Sequence, residues 1–377
     1  MRIVTPKDSG RIQLLERGAR GARLAVRADR AAPKFRQWFH FVVRDAAGVP
    51  LELSIDNADQ CTFDGAFEGY RVSASYDGDD WFRVPTELGD DGVLRIRHTP
   101  RADAVAYAYF PAYPRRRRRA LVEHAVSGGQ ALAEILGETP LGDPIRLLTM
   151  GARDRRAKRV WFVAQQHPGE TQAAWFMEGL VLRLLSDEDP VARALSRRVR
   201  FYLVLGMNTD GAYLGCHRTN AHGKDLNRAW LAPSLEETPE VALVRQAIGE
   251  RGVDVFFDVH GDEKIPYLFM AGCEGNPSWS KRIAREERRF AKALAAVHPW
   301  FQTKHGYPKD APGTGDLRCA TNWVGEEHGC LSILLEMPFK ELANRPLDDE
   351  DENGFGPDDC RDFAAATLEA LATMLLA

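Results

Sequence analysis

An N-terminal antiparallel β-sandwich followed by an α/β domain is the fold the sequence predicts, and three observations predict it. The first third of the chain is written in short alternating strands separated by Gly and Asp turns. From about residue 120, short apolar runs alternate with helical stretches, as in an α/β domain. The chain has 377 residues, too many for one typical domain.

The strand text begins with "FRQWFHFVVRDA", which alternates around Trp38, His40, Val42 and Val43. "GYRVSASYDGDDWFRVP" holds two short strands about an Asp-Gly turn, and "VLRIRHTP" and "VAYAYFPAY" follow. Pro111 and Pro114 then break the pattern, and Arg115 to Arg119 form a run of one sign. The expected boundary lies there, giving a sandwich over 1–114 and a second domain over 115–377. The Arg run is expected to be a solvated linker or a helix start.

In the second part, "RVWFVAQ", "RFYLVLG", "VDVFFDV" and "LSILLEM" read as strands buried on both faces. "TQAAWFMEGLVLRLLS" is helical, with Phe176, Leu180 and Leu184 four apart. "PSWSKRIAREERRFAKALAAV" and the closing "PDDCRDFAAATLEALATMLLA" are helical too. Trp161, Trp175 and Phe176 are expected in the core. "LDDEDENGFGPDD" lacks the closing Glu of a calcium-binding loop and is expected to be solvated.

Composition excludes several classes. A net charge of −4 gives no bulk attraction to nucleic acid or anionic membrane. No run of about 20 apolar residues exists to span a bilayer. Six scattered Cys and a start without an apolar signal core suit free thiols and a cytoplasmic location.

Each of the four buried runs ends in polar residues. The first delivers His167 and Glu170, the third His260, and the fourth Glu336. The second leads into "NTDGAYLGCHRTNAHGKDLNRAW". Ligands bind outside the carboxyl ends of strands in open α/β sheets, so these groups converge on one cleft. Two His and one carboxylate form a tetrahedral zinc site with a position open for water. Glu336, ending an apolar strand, is the candidate to take a proton from that water. Arg218, Asn227 and Arg228 share one polar segment and offer an oxyanion partner and a carboxylate clamp. Taken singly, each group has a plainer reading: a capped turn, a hydrogen-bonded core His, an ion-paired Glu. Asp262 and Glu263 read as exposed loop acids, and His217 and His222 as an ordinary polar loop.

"HPGE", "DLNR", "DVHGDE" and "LLEMPFK", in this order, resemble the zinc metallocarboxypeptidases, or funnelins. "HPGE" and the β-rich N-terminal part resemble the cytosolic carboxypeptidase branch in particular. The resemblance spans about residues 35 to 375. It implies an α/β/α sandwich with a mixed sheet of about eight strands. It implies one zinc ion per chain on His167, Glu170 and His260, and hydrolysis by metal-bound water with Glu336 as general base. It further implies Arg218 as oxyanion stabiliser, and Asn227 and Arg228 on the substrate's terminal carboxylate. Asp225 would accept a hydrogen bond from His167 and fix its tautomer. Peptide or protein C-termini would be the partners.

The sequence departs from the digestive enzymes in two places. Gly169 stands where they carry Arg between the ligands. Their mobile-loop Tyr has no counterpart in "APGTGDLRCATNW", and Tyr307 lies earlier. That segment, with Asp316 and Arg318, should line the pocket for the terminal side chain; an acidic or broad preference is expected. Two other readings remain: an aspartoacylase-like deacylase of small N-acyl amino acids, and a non-catalytic binder of peptide C-termini.

Overall fold

The computed structural model describes residues 1–346 and 354–376, so most of the acidic loop considered above lies outside the described residues. Ten strands come first: β1 (Arg2–Val4), β2 (Ile12–Arg17), β3 (Gly21–Val26), β4 (His40–Arg44), β5 (Leu51–Ile55), β6 (Val72–Ser75), β7 (Trp81–Val84), β8 (Thr86–Leu88), β9 (Leu94–His98) and β10 (Ala104–Ala108). They form two five-stranded sheets, ordered β1-β4-β10-β6-β7 and β2-β3-β5-β9-β8. All pairs are antiparallel except β3 with β5. In β4 the period of two places Phe41 and Val43 in the core, with His40 and Val42 half-buried on the other face.

The remainder contains α1 (Arg115–Ser127), β11 (Ala131–Glu138), β12 (Pro144–Gly151), β13 (Lys158–Ala164), α2 (Thr171–Leu184), α3 (Pro190–Arg198), β14 (Val199–Val204), α4 (Thr209–Leu214), α5 (Pro239–Arg251), β15 (Val255–Asp262), β16 (Phe269–Ala271), α6 (Lys281–Val297), α7 (Ala320–His328), β17 (Leu331–Pro338) and α8 (Pro357–Leu375). Seven strands, not about eight, make its mixed sheet among the described residues, in the order β11-β12-β14-β13-β15-β17-β16. The four apolar runs are its parallel centre: β14, β13, β15 and β17.

Each central strand is apolar throughout because helices cover both faces. Val160, Phe162, Phe201, Leu203, Phe257 and Ile333 pack with α2, α6 and α8. Trp161, Val163, Tyr202, Val204 and Phe256 pack with α5 and α7. Trp161, Trp175 and Phe176 lie in these cores, as expected. Helix α2 is buried on nearly every side. A Cβ on Gly179 would lie 2.6 Å from the Cα of Arg361, so only Gly lets α2 and α8 approach this closely.

The Arg run is a helix start, with Arg116 and Arg119 exposed and Arg117 turned inward. Arg117 Nε and Nη2 donate to Glu178 on α2, at 2.6 and 2.9 Å, and Tyr113 and Arg361 donate to the same carboxylate. A buried Glu within reach of two guanidinium groups draws these cations inward.

The N-terminal sheets join the rest through a continuous apolar core and through Arg83. This buried side chain donates to Ser73 Oγ and to the carbonyls of Arg71, Phe339 and Phe355, and pairs with Glu341 at 3.2 Å. Arg83→Met would remove the donor to these acceptors and leave Glu341 only Arg71 and the Phe355 N–H. Denaturant unfolding should show a loss of about 3–5 kcal/mol.

Glu240 of α5 is fully buried, within 3.3 and 3.4 Å of Asn220 Nδ2. Burial pushes its carboxyl up from 4.5 to about 7. The folded state therefore holds the proton more tightly than the unfolded chain. Stability is fully retained below about pH 4.5 and falls as the pH rises through about 7. Glu240→Gln should flatten this dependence. By pH 8 the difference is about 3 kcal/mol, at ~1.4 kcal/mol per pH unit.

Candidate metal centre and substrate cleft

The chain leaves β13 at Ala164 and turns sharply before α2. Gln165 takes a positive φ of 53°, and Glu170 is the N-cap of the helix. This turn carries His167 and Glu170 to the carboxyl edge of the sheet. A Cβ on Gly169 would lie 2.5 Å from His217 Nδ1 and 3.0 Å from its Cα. His217 occupies the space that an Arg at position 169 would need, which accounts for the first departure.

The third group comes from β15. His167 Nδ1 lies 2.7 Å from Glu170 Oε1, and His260 Nδ1 lies 2.7 Å from Glu170 Oε2. All three residues are buried, and their ligand atoms lie within 4.8 Å of one another. The opposite ring nitrogens face carboxylates: His167 Nε2 meets Asp225 at 3.0 Å, and His260 Nε2 meets Asp258 at 3.0 Å. With the proton on each Nε2, both Nδ1 lone pairs turn toward Glu170.

The electrostatics ask for positive charge at this point. Burial opposes the charged form of His260, yet Asp258 and Glu170 outweigh it and hold the imidazole well above its ordinary value. Burial would raise Glu170, but His167 and His260 hold it well below the carboxylate range. Two imidazoles and a carboxylate closing on one point, with positive charge favoured between them, fit a zinc ion.

Asp225 opens the short 3₁₀ turn Leu226–Arg228 and ties the site together. Its Oδ1 faces His167 and accepts from the Asn227 backbone N–H at 3.0 Å; its Oδ2 accepts from Arg218 Nε at 2.8 Å. Against the effect of burial, His167 and Arg218 hold it well below the usual range. Asn227 is committed within the protein: Oδ1 accepts from the Ala320 N–H at 2.8 Å, and Nδ2 lies 3.3 Å from His260 Nε2. Arg228 is exposed, donating to the Asn227 carbonyl and Cys319 Sγ. Among the described residues no carboxylate forms an ion pair with it.

Glu336 on β17 is the register partner of His260 on β15. Burial, with the charges of Glu170 and Asp262, pushes its carboxyl well above the ordinary range. Its Oε1 lies 3.0 Å from the Tyr307 hydroxyl, and its Oε2 is buried without a hydrogen-bond partner. Tyr307 also reaches Asp262 Oδ2 at 2.7 Å. Its single hydroxyl proton serves one carboxylate at a time. By sequence position Tyr307 lies earlier than the mobile-loop Tyr of the digestive enzymes; folding nevertheless brings it to the cleft from outside the four strand ends.

Asp262 and Glu263 are corrections to the sequence reading. Both are buried, at 8% and 4% exposure, where exposed loop acids were expected. Glu263 pairs with His217 Nε2 at 2.6 Å, and Asp262 caps the N–H groups of Lys264 and Ile265. His217 is therefore a buried partner of Glu263 and not part of an open loop. His222 is exposed.

The N-terminal part also contributes, which the sequence did not signal. Asp29 accepts from the backbone N–H groups of His217, Arg218 and Thr219 at 2.7–3.0 Å. Phe35 and Phe63 each lie 5.8 Å from the Arg218 guanidinium. The resulting cleft encloses about 1110 Å³, with Phe63, Arg218, Arg228, Tyr307, Asp316 and Thr321 among its walls. Asp316 receives two 2.8 Å bonds from Arg318, so the two opposite charges satisfy each other.

Fold and site together define a class: an α/β/α hydrolase scaffold with a candidate three-donor metal site at the carboxyl ends of its parallel strands. The zinc carboxypeptidase family matches residues 130–355, and the cytosolic carboxypeptidase N-terminal domain matches residues 3–110. A metallo-carboxypeptidase from Pseudomonas aeruginosa, solved with (2-guanidinoethylmercapto)succinic acid, is 42% identical with a TM-score of 0.94; the match covers 100% of this chain and 99% of that one. The metallo-carboxypeptidase from Burkholderia cenocepacia is 41% identical with a TM-score of 0.93, over 99% and 98%. Cytosolic carboxypeptidase 2 of Danio rerio is 27% identical over 335 residues, 78% of this chain but 46% of its own length. The chain belongs to the zinc carboxypeptidase family and is a carboxypeptidase hydrolase. No helix among the described residues is long and apolar enough to cross a membrane.

Proposed function

We propose that the chain hydrolyses the C-terminal peptide bond of peptides or proteins, with His167, Glu170 and His260 holding one zinc ion per chain and Glu336 as general base. One observation carries this reading: His260 and Glu336 are cross-strand partners, and the buried Glu336 Oε2 accepts no hydrogen bond. A zinc ion at the cluster supplies Lewis-acid polarisation and makes water easier to deprotonate. The remaining work falls to the chain. Glu336 takes a proton from the water as the water oxygen bonds to the carbonyl carbon. It returns that proton to the amine nitrogen as the C–N bond breaks. Arg218 stabilises the charge that develops on the carbonyl oxygen. Arg228, with Asn227 beside it, grips the terminal carboxylate; its freedom from internal ion pairs supports this role. Asp225 orients His167 and Arg218 together.

We place the working division at 1–114 and 115–377, supported by the gap between β10, ending at Ala108, and α1, starting at Arg115. A cytoplasmic site of action is supported by the cytosolic carboxypeptidase relative. An acidic or broad preference at the terminal side chain is supported by the neutralisation of Asp316 by Arg318.

The test is mass-spectrometric. Peptides differing only in their last residue are incubated with the wild type, with Glu336→Gln and with chelator-treated protein. Removal of single C-terminal residues by the untreated wild type alone is the expected result. No shortening of any peptide by zinc-loaded protein, with release of acid from N-acyl amino acids, would overturn it in favour of a deacylase.

A further inference from the structure

We infer that the protein carries a second ligand site, separate from the cleft, that takes a small phosphate-bearing molecule. The site is a cavity of about 310 Å³ between α1 and β12, and it shares no lining residue with the cleft. Its size falls at the lower end of small-molecule pockets. Four guanidinium groups line it, from Arg115, Arg118, Arg119 and Arg146; the acids among its walls are Glu123 and Asp143. Four positive and two negative charges line it, and Asp8, outside the lining, faces Arg115 Nε at 3.8 Å, which leaves one positive charge unbalanced.

The polar atoms of this cavity are short of partners. Arg115 Nε, Arg118 Nε and Thr209 Oγ1 are all buried without a hydrogen bond, and all three residues line the same space. Each of these atoms can donate, so what is missing is an acceptor. Asp143 is the one buried acid present, and it faces Arg115 and Arg119 at 3.5 and 3.6 Å, too far for good hydrogen bonds. Arg118 bonds the Gln165 side chain, and no carboxylate among the described residues forms an ion pair with it. Gly206 makes room for it: a Cβ there would lie 2.5 Å from Arg118 Nε. Burying a guanidinium without a paired carboxylate is costly, and burial lowers the pKa of this one even with Asp8 and Asp143 nearby.

A phosphate group answers each of these features. It carries nearly two negative charges near neutral pH and offers several strong acceptor oxygens. Guanidinium forks match its geometry with paired hydrogen bonds.

The experiment titrates inorganic phosphate into the full chain by calorimetry. The wild type should bind one phosphate with Kd at or below about 1 mM. Arg118→Met and Arg146→Met should each weaken binding about tenfold or more. Arg228→Met, altered in the cleft, should leave it unchanged. Thermal unfolding checks that each variant is folded, and Arg146→Met carries the test if Arg118→Met is not. Two results would overturn the inference: no phosphate binding by the wild type, which would mean that Asp8, Asp143 and Glu123 satisfy the cluster, or binding lost in Arg228→Met and kept in the cavity variants.

Discussion

Glu336→Gln is expected to lower kcat on a C-terminal peptide substrate by about 10²–10⁴-fold, the range for losing a positioned general base. Zinc content and the unfolding midpoint should stay at wild-type values, because Glu336 is not among the three clustered donors. The amide retains the shape and can still accept from Tyr307, as Oε1 does now. It cannot take a proton from water. The same carboxyl predicts the form of the pH profile. Burial, together with Glu170 and Asp262, raises its pKa, and activity needs the ionised form. The acid limb of kcat should therefore lie above the ordinary carboxylate range and vanish with the residual rate of Glu336→Gln. A Gln variant with wild-type kcat would remove Glu336 from the reaction.

Removing a metal donor should cost more in metal than removing a group behind it. Glu170 faces both imidazoles through its two oxygens, so Glu170→Ala deletes the centre of the cluster. Asp225→Asn keeps all three donors and only weakens the hold on His167 Nε2. Groups in that supporting position contribute about 10–100-fold to metal affinity. Glu170→Ala should exceed this range and yield protein without measurable zinc after dialysis. A chelator competition across both variants checks the order. Equal zinc affinity in Glu170→Ala and wild type would rule out this cluster as the metal centre.

Much of this site was legible because it stands at the ends of four uniform strands. β13, β14, β15 and β17 are apolar on both faces, so their boundaries and the polar residues that follow are visible in one dimension. Other parts were hidden for identifiable reasons. β2 reads "IQLLER" and is exposed over most of its length, so no alternation marks it. β1, β3 and β5 likewise precede or interrupt the clear strand text. Asp262 and Glu263 follow the candidate metal donor His260 at a strand end, where acids usually meet solvent, but Tyr307 and His217 close over them from distant segments. Their burial is a property of the folded neighbourhood and has no local signature. The Arg run was legible as a helix start, but the inward turn of Arg117 was not, because Glu178, which draws it inward, lies 61 residues away.

Asp29 has a consequence for how this molecule can be cut and recombined. It belongs to the N-terminal part, yet three consecutive backbone N–H groups of the Arg218 loop end on its carboxylate. The orientation of the proposed oxyanion partner, Arg218, is thus set from across the chain's apparent seam. The two halves are not interchangeable cassettes. A transplanted C-terminal half would arrive with an unanchored Arg218 loop. A chimaera would regain it only if the incoming sandwich presented a carboxylate at the same place.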